Sequence, residues 1–117
     1  MQNKEPERDC SKATLAIKDA VEAIEGRWKL LILYALCSGP KRFKELSRAV
    51  PGITDKSLSK ELKDMQEHKL IRREVEENTP AIIAYSMTEH GMSLRKLLFE
   101  LWDWGLIHRR EVLETKK

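Results

Sequence analysis

The stretch that most constrains the fold is residues 42–70, where two short apolar patterns lie on either side of Pro51-Gly52. Proline cannot continue a helix and glycine readily adopts a positive φ, so the chain can turn sharply at this point. The apolar residues of both patterns recur at helical spacing, as Phe43, Leu46 and Val50 before the turn and Leu58, Leu62 and Met65 after it. We therefore predict two short helices packed across a tight turn, which is a helix-turn-helix.

The second predicted helix has two chemically different faces. Thr54 is a favourable N-cap residue, and Asp55 lies where the helix dipole favours an acidic side chain. Successive helical residues are about 100° apart, so Lys56, Lys60 and Lys63 fall within about 60° of one another, opposite the apolar face. We call these three residues the lysine row, and we expect no carboxylate within it. The row predicts a helix that lies in the major groove of DNA, and a solvated lysine face is the alternative.

The charge distribution favours the DNA-binding interpretation. Residues 41–73 hold ten Lys or Arg against five Asp or Glu, whereas residues 74–88 carry a net charge of −3. The basic excess therefore lies on the helix-turn-helix, where a polyanion would dock. The residues that we predict to contact DNA are Lys41, Arg42, Thr54, Lys56, Ser57, Ser59, Lys60, Lys63 and Thr79.

Length and hydropathy indicate one domain. A chain of 117 residues with 41% hydrophobic residues is large enough for a single core. We expect residues 1–10 to be a disordered lead-in, residues 11–110 to form the domain and residues 111–117 to be a tail. No apolar run approaches the roughly 18 residues that span a bilayer, and the polar N-terminus does not look like a signal peptide. We therefore expect a cytoplasmic protein.

Two helices are predicted before the helix-turn-helix. The first runs from Ser11 to about Glu25, and its apolar surface is wider than one core-facing stripe. The second runs from Arg27 to about Cys37 and is densely apolar, which is typical of a central buried element. The width of the first apolar surface predicts a contact beyond its own core.

The apolar period changes from 3.6 to 2 after Leu70, which predicts a β-hairpin. The alternating residues are Ile71, Arg73 and Val75 in the first strand and Ile83, Tyr85 and Met87 in the second. We expect residues 76–81 to form the turn and Lys41-Arg42 to form a short edge strand. A hairpin directly after the second helix of a helix-turn-helix occupies the place of a wing.

A long last helix is predicted from its cap at Thr88 to about Arg110. Apolar residues, including Trp102 and Trp104, extend around most of its circumference. A domain this small cannot bury all of that surface against its own core, so the pattern predicts an interface. The alternative is that both tryptophans pack only within the chain.

Cysteine and histidine positions argue against catalysis and metal binding. Cys10 and Cys37 form neither a disulfide framework nor a zinc site of the usual spacing. His68, His90 and His108 are dispersed, and the sequence contains no glycine-rich phosphate loop and no HExxH motif. We therefore expect a protein that is not an enzyme and binds neither a metal nor a cofactor.

The order of elements resembles the winged helix-turn-helix, a mainly α fold with a small β-hairpin wing in the order α-α-(short β)-α-α-β-β-α. The amino-acid sequence itself resembles the HxlR-type bacterial transcription regulators, and the similarity covers Cys10 to Ile107. The stretches that carry it are Gly26-Arg27-Trp28-Lys29, Gly39-Pro40-Lys41-Arg42-Phe43-Lys44-Glu45-Leu46, Pro51-Gly52-Ile53-Thr54, Leu58, Leu62, Tyr85-Ser86-Met87-Thr88-Glu89-His90-Gly91, and Trp102 or Trp104.

This resemblance implies a homodimer that binds an inverted-repeat operator in double-stranded DNA and regulates nearby genes, often in response to reactive small molecules. It also implies that the first and last helices build the dimer. The residues assigned to dimerisation on this basis are Leu15, Val21, Leu98, Leu101, Trp102 and Trp104. The alternative function is a dimeric winged-helix module that binds protein rather than DNA, which the acidic pair Glu76-Glu77 in the hairpin favours.

Cys10 is the candidate sensor residue. It lies beside the first helix, between Arg8 and Lys12, and near a helix N-terminus whose dipole favours a thiolate. Asp9 opposes that effect. We predict that oxidation or alkylation of Cys10 disturbs the dimer, and the alternative is an inert cysteine.

Overall fold

The structure is a computed structural model that describes residues 10–76 and 78–114. Its elements are α1 (Cys10–Ile24), α2 (Lys29–Leu36), β1 (Lys41–Arg42), α3 (Phe43–Ala49), α4 (Asp55–Glu67), β2 (Ile71–Glu76), β3 (Thr79–Met87), α5 (Glu89–Met92) and α6 (Arg95–His108), followed by a π-helical segment (Arg109–Glu114). This order confirms the predicted mainly α fold with a small β-hairpin wing. Within the described ranges, no helix combines the length and apolar character needed to cross a bilayer.

The core forms where α2, α3, α4 and the base of the hairpin meet. Helix α2 is the central element, as its dense apolar pattern predicts, because Ile32, Leu33 and Leu36 are almost completely buried. The apolar positions of the helix-turn-helix are also confirmed: Phe43 is half-buried against the core, and the fully buried residues are Leu46, Val50, Leu58, Leu62 and Met65.

The turn between α3 and α4 takes the form that its sequence predicts. Gly52 has a φ of +89°, a conformation that side chains other than glycine rarely adopt. A Cβ at this position would also lie 3.8 Å from the ring of Trp28. Thr54 then caps α4, because its hydroxyl oxygen accepts a hydrogen bond from the backbone N–H of Ser57 at 3.1 Å. The turn and the cap together fix where α4 begins.

The end of α4 was not predicted from the sequence. The N–H of Leu70 donates to the carbonyl of Met65 at 3.0 Å, and the N–H of Lys69 donates to the carbonyl of Gln66 at 2.9 Å. These are the two hydrogen bonds of a Schellman motif, which places one residue in the left-handed region. That residue is usually glycine, but here it is Lys69, with a φ of +62°.

The sheet is antiparallel, in the order β1-β3-β2. Lys41-Arg42 forms the predicted edge strand and pairs with Tyr85 and Ala84 of β3. The prediction that residues 76–81 form the hairpin turn was wrong. Strand β3 begins at Thr79, which pairs with Glu76 beyond a register shift, so the strands continue closer to the tip than the alternation indicated.

The predicted single last helix is divided at Ser93-Leu94. Thr88 caps the short α5, since its hydroxyl oxygen accepts from the N–H of Gly91 at 2.9 Å, and the same hydroxyl donates to the carbonyl of Lys69 at 2.7 Å. The backbone of Gly91 lies against this junction, and a Cβ there would be 2.0 Å from the carbonyl oxygen of Leu70. The close contact holds α5 at the α4–β2 corner, and α6 begins three residues later, at Arg95. Helical structure extends beyond Arg110, through the π-helical segment.

Candidate nucleic-acid interface

Helix α4 carries a buried face and a basic face. Leu58, Leu62 and Met65 are at most 2% exposed, and the lysine row is exposed on the other side. Ser59 is exposed beside the row, whereas Ser57 is half-buried near the helix cap. Because the buried face packs against the core, the side that carries the lysine row is fixed.

The expectation of no carboxylate within the lysine row was wrong. Helix α4 continues to Glu67, which follows Lys63 by one helical turn and lies on the same side. Lys60, Lys63 and Glu67 line one shallow surface depression. The basic surface is therefore strongest along the first three turns of α4, and it weakens towards the C-terminal end.

A buried ion pair anchors α4, and sequence reasoning missed it. The ammonium of Lys29, at the start of α2, lies 2.5 Å from Oε1 of Glu61 and 3.1 Å from Oδ2 of Asp64. Lys29 is only 8% exposed. Burial lowers the pKa of Lys29, but hydrogen bonds to Glu61 and Asp64 outweigh that effect and raise the pKa above its ordinary value of 10.5. The charged group thus ties α4 to the central helix.

The remaining residues predicted to contact DNA lie in different surroundings. Arg42 is exposed at the N-cap of α3, where its backbone N–H donates to Oε1 of Glu45 at 2.8 Å. The ammonium of Lys41 donates to the hydroxyl of Ser38 at 3.1 Å and lines a cavity beside α2. The side chain of Thr79 lies outside the described residues, as do Glu77 and the side chain of Glu76. Contacts between this part of the hairpin and DNA therefore stay a prediction.

Helices α1 and α6 expose an apolar surface. No residue of α1 is buried, and Leu15 and Val21 are 59% and 48% exposed. On α6, Trp102 and Trp104 are 51% and 59% exposed. The alternative that both tryptophans are packed within the chain does not describe this structure, although the Trp102 ring makes an edge-to-face contact with Tyr34 at 5.9 Å.

Leu98 differs from the other residues assigned to dimerisation. It is only 6% exposed and belongs to the core, because α6 crosses α2 at this point. Leu101 is 40% exposed and lies beside an apolar groove of about 570 Å³ between α2 and α6, which Leu98 also lines. The assignment of Leu98 to an interface therefore needs correction: its main contacts are within its own protomer.

The two cysteines differ in accessibility. Cys10 is exposed and is the first residue of α1, whereas Cys37 is half-buried at the C-terminal end of α2. Residues 1–9 lie outside the described residues, so the expected disorder of the lead-in and the positions of Arg8 and Asp9 stay predictions.

Known proteins are similar to this chain in sequence and in fold. The family model for the HxlR-like helix-turn-helix matches residues 23–112. The chain is 44% identical over 84 residues to YkvN, an uncharacterised HTH-type transcriptional regulator of Bacillus subtilis. The aligned region covers 72% of this chain and 71% of YkvN. The chain is 34% identical over 89 residues to the HTH-type transcriptional regulator YodB of the same organism, which covers 76% of this chain and 80% of YodB.

Solved structures agree with the sequence matches. The redox regulator HypR in its reduced form superposes with a TM-score of 0.77 and 32% identity, over 86% of this chain and 99% of HypR. The reduced form of YodB from B. subtilis superposes with a TM-score of 0.71 and 30% identity, over 87% of this chain and 96% of YodB. With the exposed basic face of α4, these matches show that the chain belongs to the HxlR-like helix-turn-helix family of transcriptional regulators.

Proposed function

We propose that this regulator is a homodimer that recognises an inverted-repeat operator in double-stranded DNA, and that it acts by binding rather than by catalysis. The observation that carries the proposal is the division of α4, in which the core fixes one face and the lysine row occupies the other. A short capped helix of this kind fits the major groove, where lysines contact phosphates or guanine edges.

The position of Glu67 indicates how α4 would enter the groove. A carboxylate repels phosphates, so the N-terminal part of α4, with Lys56 and Lys60, would approach DNA most closely. Ser59 is small and exposed there, which permits close approach. Lys29 anchors α4 through Glu61 and Asp64, so the cation that holds the helix is not one of the lysine row.

The dimer would form through α1 and α6, since these helices expose large apolar side chains that the protomer does not cover. A twofold axis between them would present two α4 helices to successive major grooves, with half-sites centred about 10 base pairs apart or a multiple of that. Sedimentation of the full chain at tens of micromolar tests this dimer. Trp104→Ser should shift it towards a monomer, and a monomeric wild type would contradict the proposal.

DNA binding is tested with duplexes selected from a random pool and titrated at two salt concentrations. If about six phosphates are neutralised per dimer, affinity should fall roughly a thousandfold between about 50 and 200 mM salt, because condensed counterions are released. If Lys60 reads a base, Lys60→Ala should weaken binding to the selected duplex by about 1 to 3 kcal/mol and relax the preference at that base pair. If Lys60 binds phosphate, the substitution should weaken binding equally for all sequences.

Lys96→Ala is the matched control, because Lys96 is an exposed lysine on α6 rather than α4. It should leave the affinity of the selected duplex unchanged. Unchanged affinity for every duplex in Lys56→Ala, Lys60→Ala and Lys63→Ala alike would contradict DNA recognition by α4. That result would favour the module that binds protein.

The proposal includes a response to oxidants or electrophiles through the thiol of Cys10. The exposed thiol lies at the start of α1, so its oxidation or alkylation would alter the dimer surface. HypR has been solved in reduced and oxidised forms, and YodB in reduced and diamide-treated forms. DNA binding by wild type, Cys10→Ser and Cys37→Ser should be compared before and after mild peroxide or a quinone. Loss of binding only in proteins that keep Cys10 supports sensing, and equal responses in wild type and Cys10→Ser exclude it.

A further inference from the structure

A second concave surface lies apart from the lysine row. It is a cavity of about 420 Å³ between α2, the α3–α4 turn and the start of α6. Leu31, Tyr34 and Phe99 supply apolar and aromatic wall, and Lys41 and Arg95 supply two cationic groups. Small-molecule sites combine these features, with an apolar lining and a few polar groups that fix orientation.

The charges of this cavity are of one sign. Lys41 donates to the hydroxyl of Ser38 at 3.1 Å, and the guanidinium of Arg95 lies 5.4 Å from the ring centroid of Phe99. Within residues 10–76 and 78–114, neither cation forms a salt bridge, and no Asp or Glu lines the cavity. Among the described residues, no acidic side chain neutralises these positive groups, and an anion would complement them.

We propose that this cavity binds a small aromatic carboxylate. The ring would pack against Tyr34 and Phe99, and the carboxylate would accept hydrogen bonds from Lys41 and Arg95. A purely apolar ligand would leave both cations without an anion, and a purely ionic one would leave the aromatic wall in water. The two requirements select an amphipathic anion of small size.

The cavity also joins parts of the molecule with different roles. Ala49 is the last residue of α3 and Pro51 lies in the α3–α4 turn, whereas Arg95 and Phe99 belong to α6. A ligand between them would favour one spacing of the helix-turn-helix relative to α6, to the extent that it binds that spacing more tightly. A consequent change in operator affinity rests on the proposed function, whereas ligand binding itself does not.

Calorimetric titration of the full chain with 2-naphthoate tests the site directly. The efficiency of small ligands predicts a Kd of about 1 mM or below. Lys41→Met and Arg95→Met should each weaken binding by roughly tenfold or more, the value of one charge-assisted hydrogen bond. Lys96→Met is the matched control, because Lys96 is exposed beside Arg95 and does not line the cavity, and it should bind as wild type does.

The neutral isostere 2-naphthamide separates charge recognition from apolar packing. It should bind at least roughly tenfold more weakly than the carboxylate. Equal binding of the amide and the carboxylate would overturn the proposal. The proposal is also overturned if the titration shows no saturable heat of binding with 2-naphthoate at about tenfold above the expected Kd. Unchanged binding in both Lys41→Met and Arg95→Met would overturn it too.

Cys37 gives the location, since it lines this cavity and Cys10 does not. Bound 2-naphthoate should slow alkylation of Cys37 by N-ethylmaleimide and leave Cys10 unaffected, as followed by mass spectrometry. Equal slowing at both cysteines would place the ligand elsewhere and overturn the assignment.

If the ligand binds here but does not change duplex affinity, the site stands and only its coupling to DNA fails. If Lys41→Met and Arg95→Met weaken duplex binding and 2-naphthoate does not bind, the two cations serve DNA phosphates instead.

Discussion

Helices α4 and α6 have nearly equal lengths, 13 and 14 residues, but they use their apolar side chains differently. In α4 the large apolar residues Leu58, Leu62 and Met65 are all buried, and the outer face is polar. In α6 Leu98 is buried, but Trp102 and Trp104 remain about half-exposed. The protomer therefore buries the large apolar side chains of α4 by itself, and it leaves several of those on α6 exposed.

This difference separates two kinds of hydrophobic pattern. A narrow stripe, as in α4, matches what one core can cover, so the protomer alone determines its position. A pattern that surrounds most of a helix exceeds that capacity, and the exposed remainder indicates a partner. Substitutions in the two regions should thus respond differently to protein concentration.

The largest expected effect comes from truncating one leucine in each helix. Leu58→Ala should lower the free energy of unfolding by about 2 to 5 kcal/mol, because it leaves a cavity in the core. Leu101→Ala removes a side chain that is 40% exposed and should cost roughly 1 kcal/mol or less in the isolated protomer. Urea unfolding at low and high protein concentration measures both. The cost of Leu101→Ala should grow with concentration, and equal costs at all concentrations would break the distinction between the helices.

Two glycines give a second matched pair. Gly91→Ala would place a Cβ 2.0 Å from the carbonyl oxygen of Leu70, so we expect a loss of about 3 kcal/mol as the α5 corner moves. Gly105→Ala, within α6, meets no heavy atom within 4 Å and should stabilise the protomer by about 0.5 to 1 kcal/mol. Thermal unfolding of both variants provides the comparison. A tolerated Gly91→Ala would show that this corner adjusts more freely than its contacts indicate.

The anchor of α4 can be removed at Lys29. Lys29→Met should cost about 1 to 3 kcal/mol, because Glu61 loses its buried partner. The folded pKa of Lys29 is raised, so its contribution is fully present below the unfolded value of 10.5 and is lost as pH rises through the folded pKa. Unfolding as a function of pH should show a constant difference from wild type at neutral pH and a smaller one above about pH 10.5.

Lys18→Met is the control for this ion pair. Lys18 pairs with Glu22 at 3.1 Å on the exposed surface of α1, where solvent screens the interaction. It should leave stability almost unchanged at every pH. A comparable loss in both variants would show that burial of Lys29 does not strengthen its interaction with α4.

The smallest expected effect is a gain at the end of α4. Lys69→Gly should raise the free energy of unfolding by about 0.5 to 1 kcal/mol, because glycine adopts the left-handed conformation without strain. Lys69→Ala loses the same side chain but keeps a Cβ, so it should bring no gain. Chemical denaturation distinguishes the two, and equal stability of both variants would argue against strain at this position.

The sequence alone determined the helix-turn-helix, the hairpin and the two faces of α4. Each depends on local signals: the spacing of Leu58 and Leu62, the Pro51-Gly52 turn and the cap at Thr54. Helical and strand periods are properties of neighbouring residues, so they can be recognised without knowing what the element packs against. The dense apolar pattern of α2 identified the central helix for the same reason.

Tertiary structure decided which side chains of these elements meet. Lys29 pairs with Glu61 across 32 positions of sequence, and no local pattern links them. Leu98 is buried while Trp102 is not, because α2 covers only the part of α6 that crosses it. Lys41 lies beside α2 in a cavity rather than among the lysines of α4. Such contacts depend on how helices cross in space, and crossing geometry is set by the packing of the whole core rather than by any one segment.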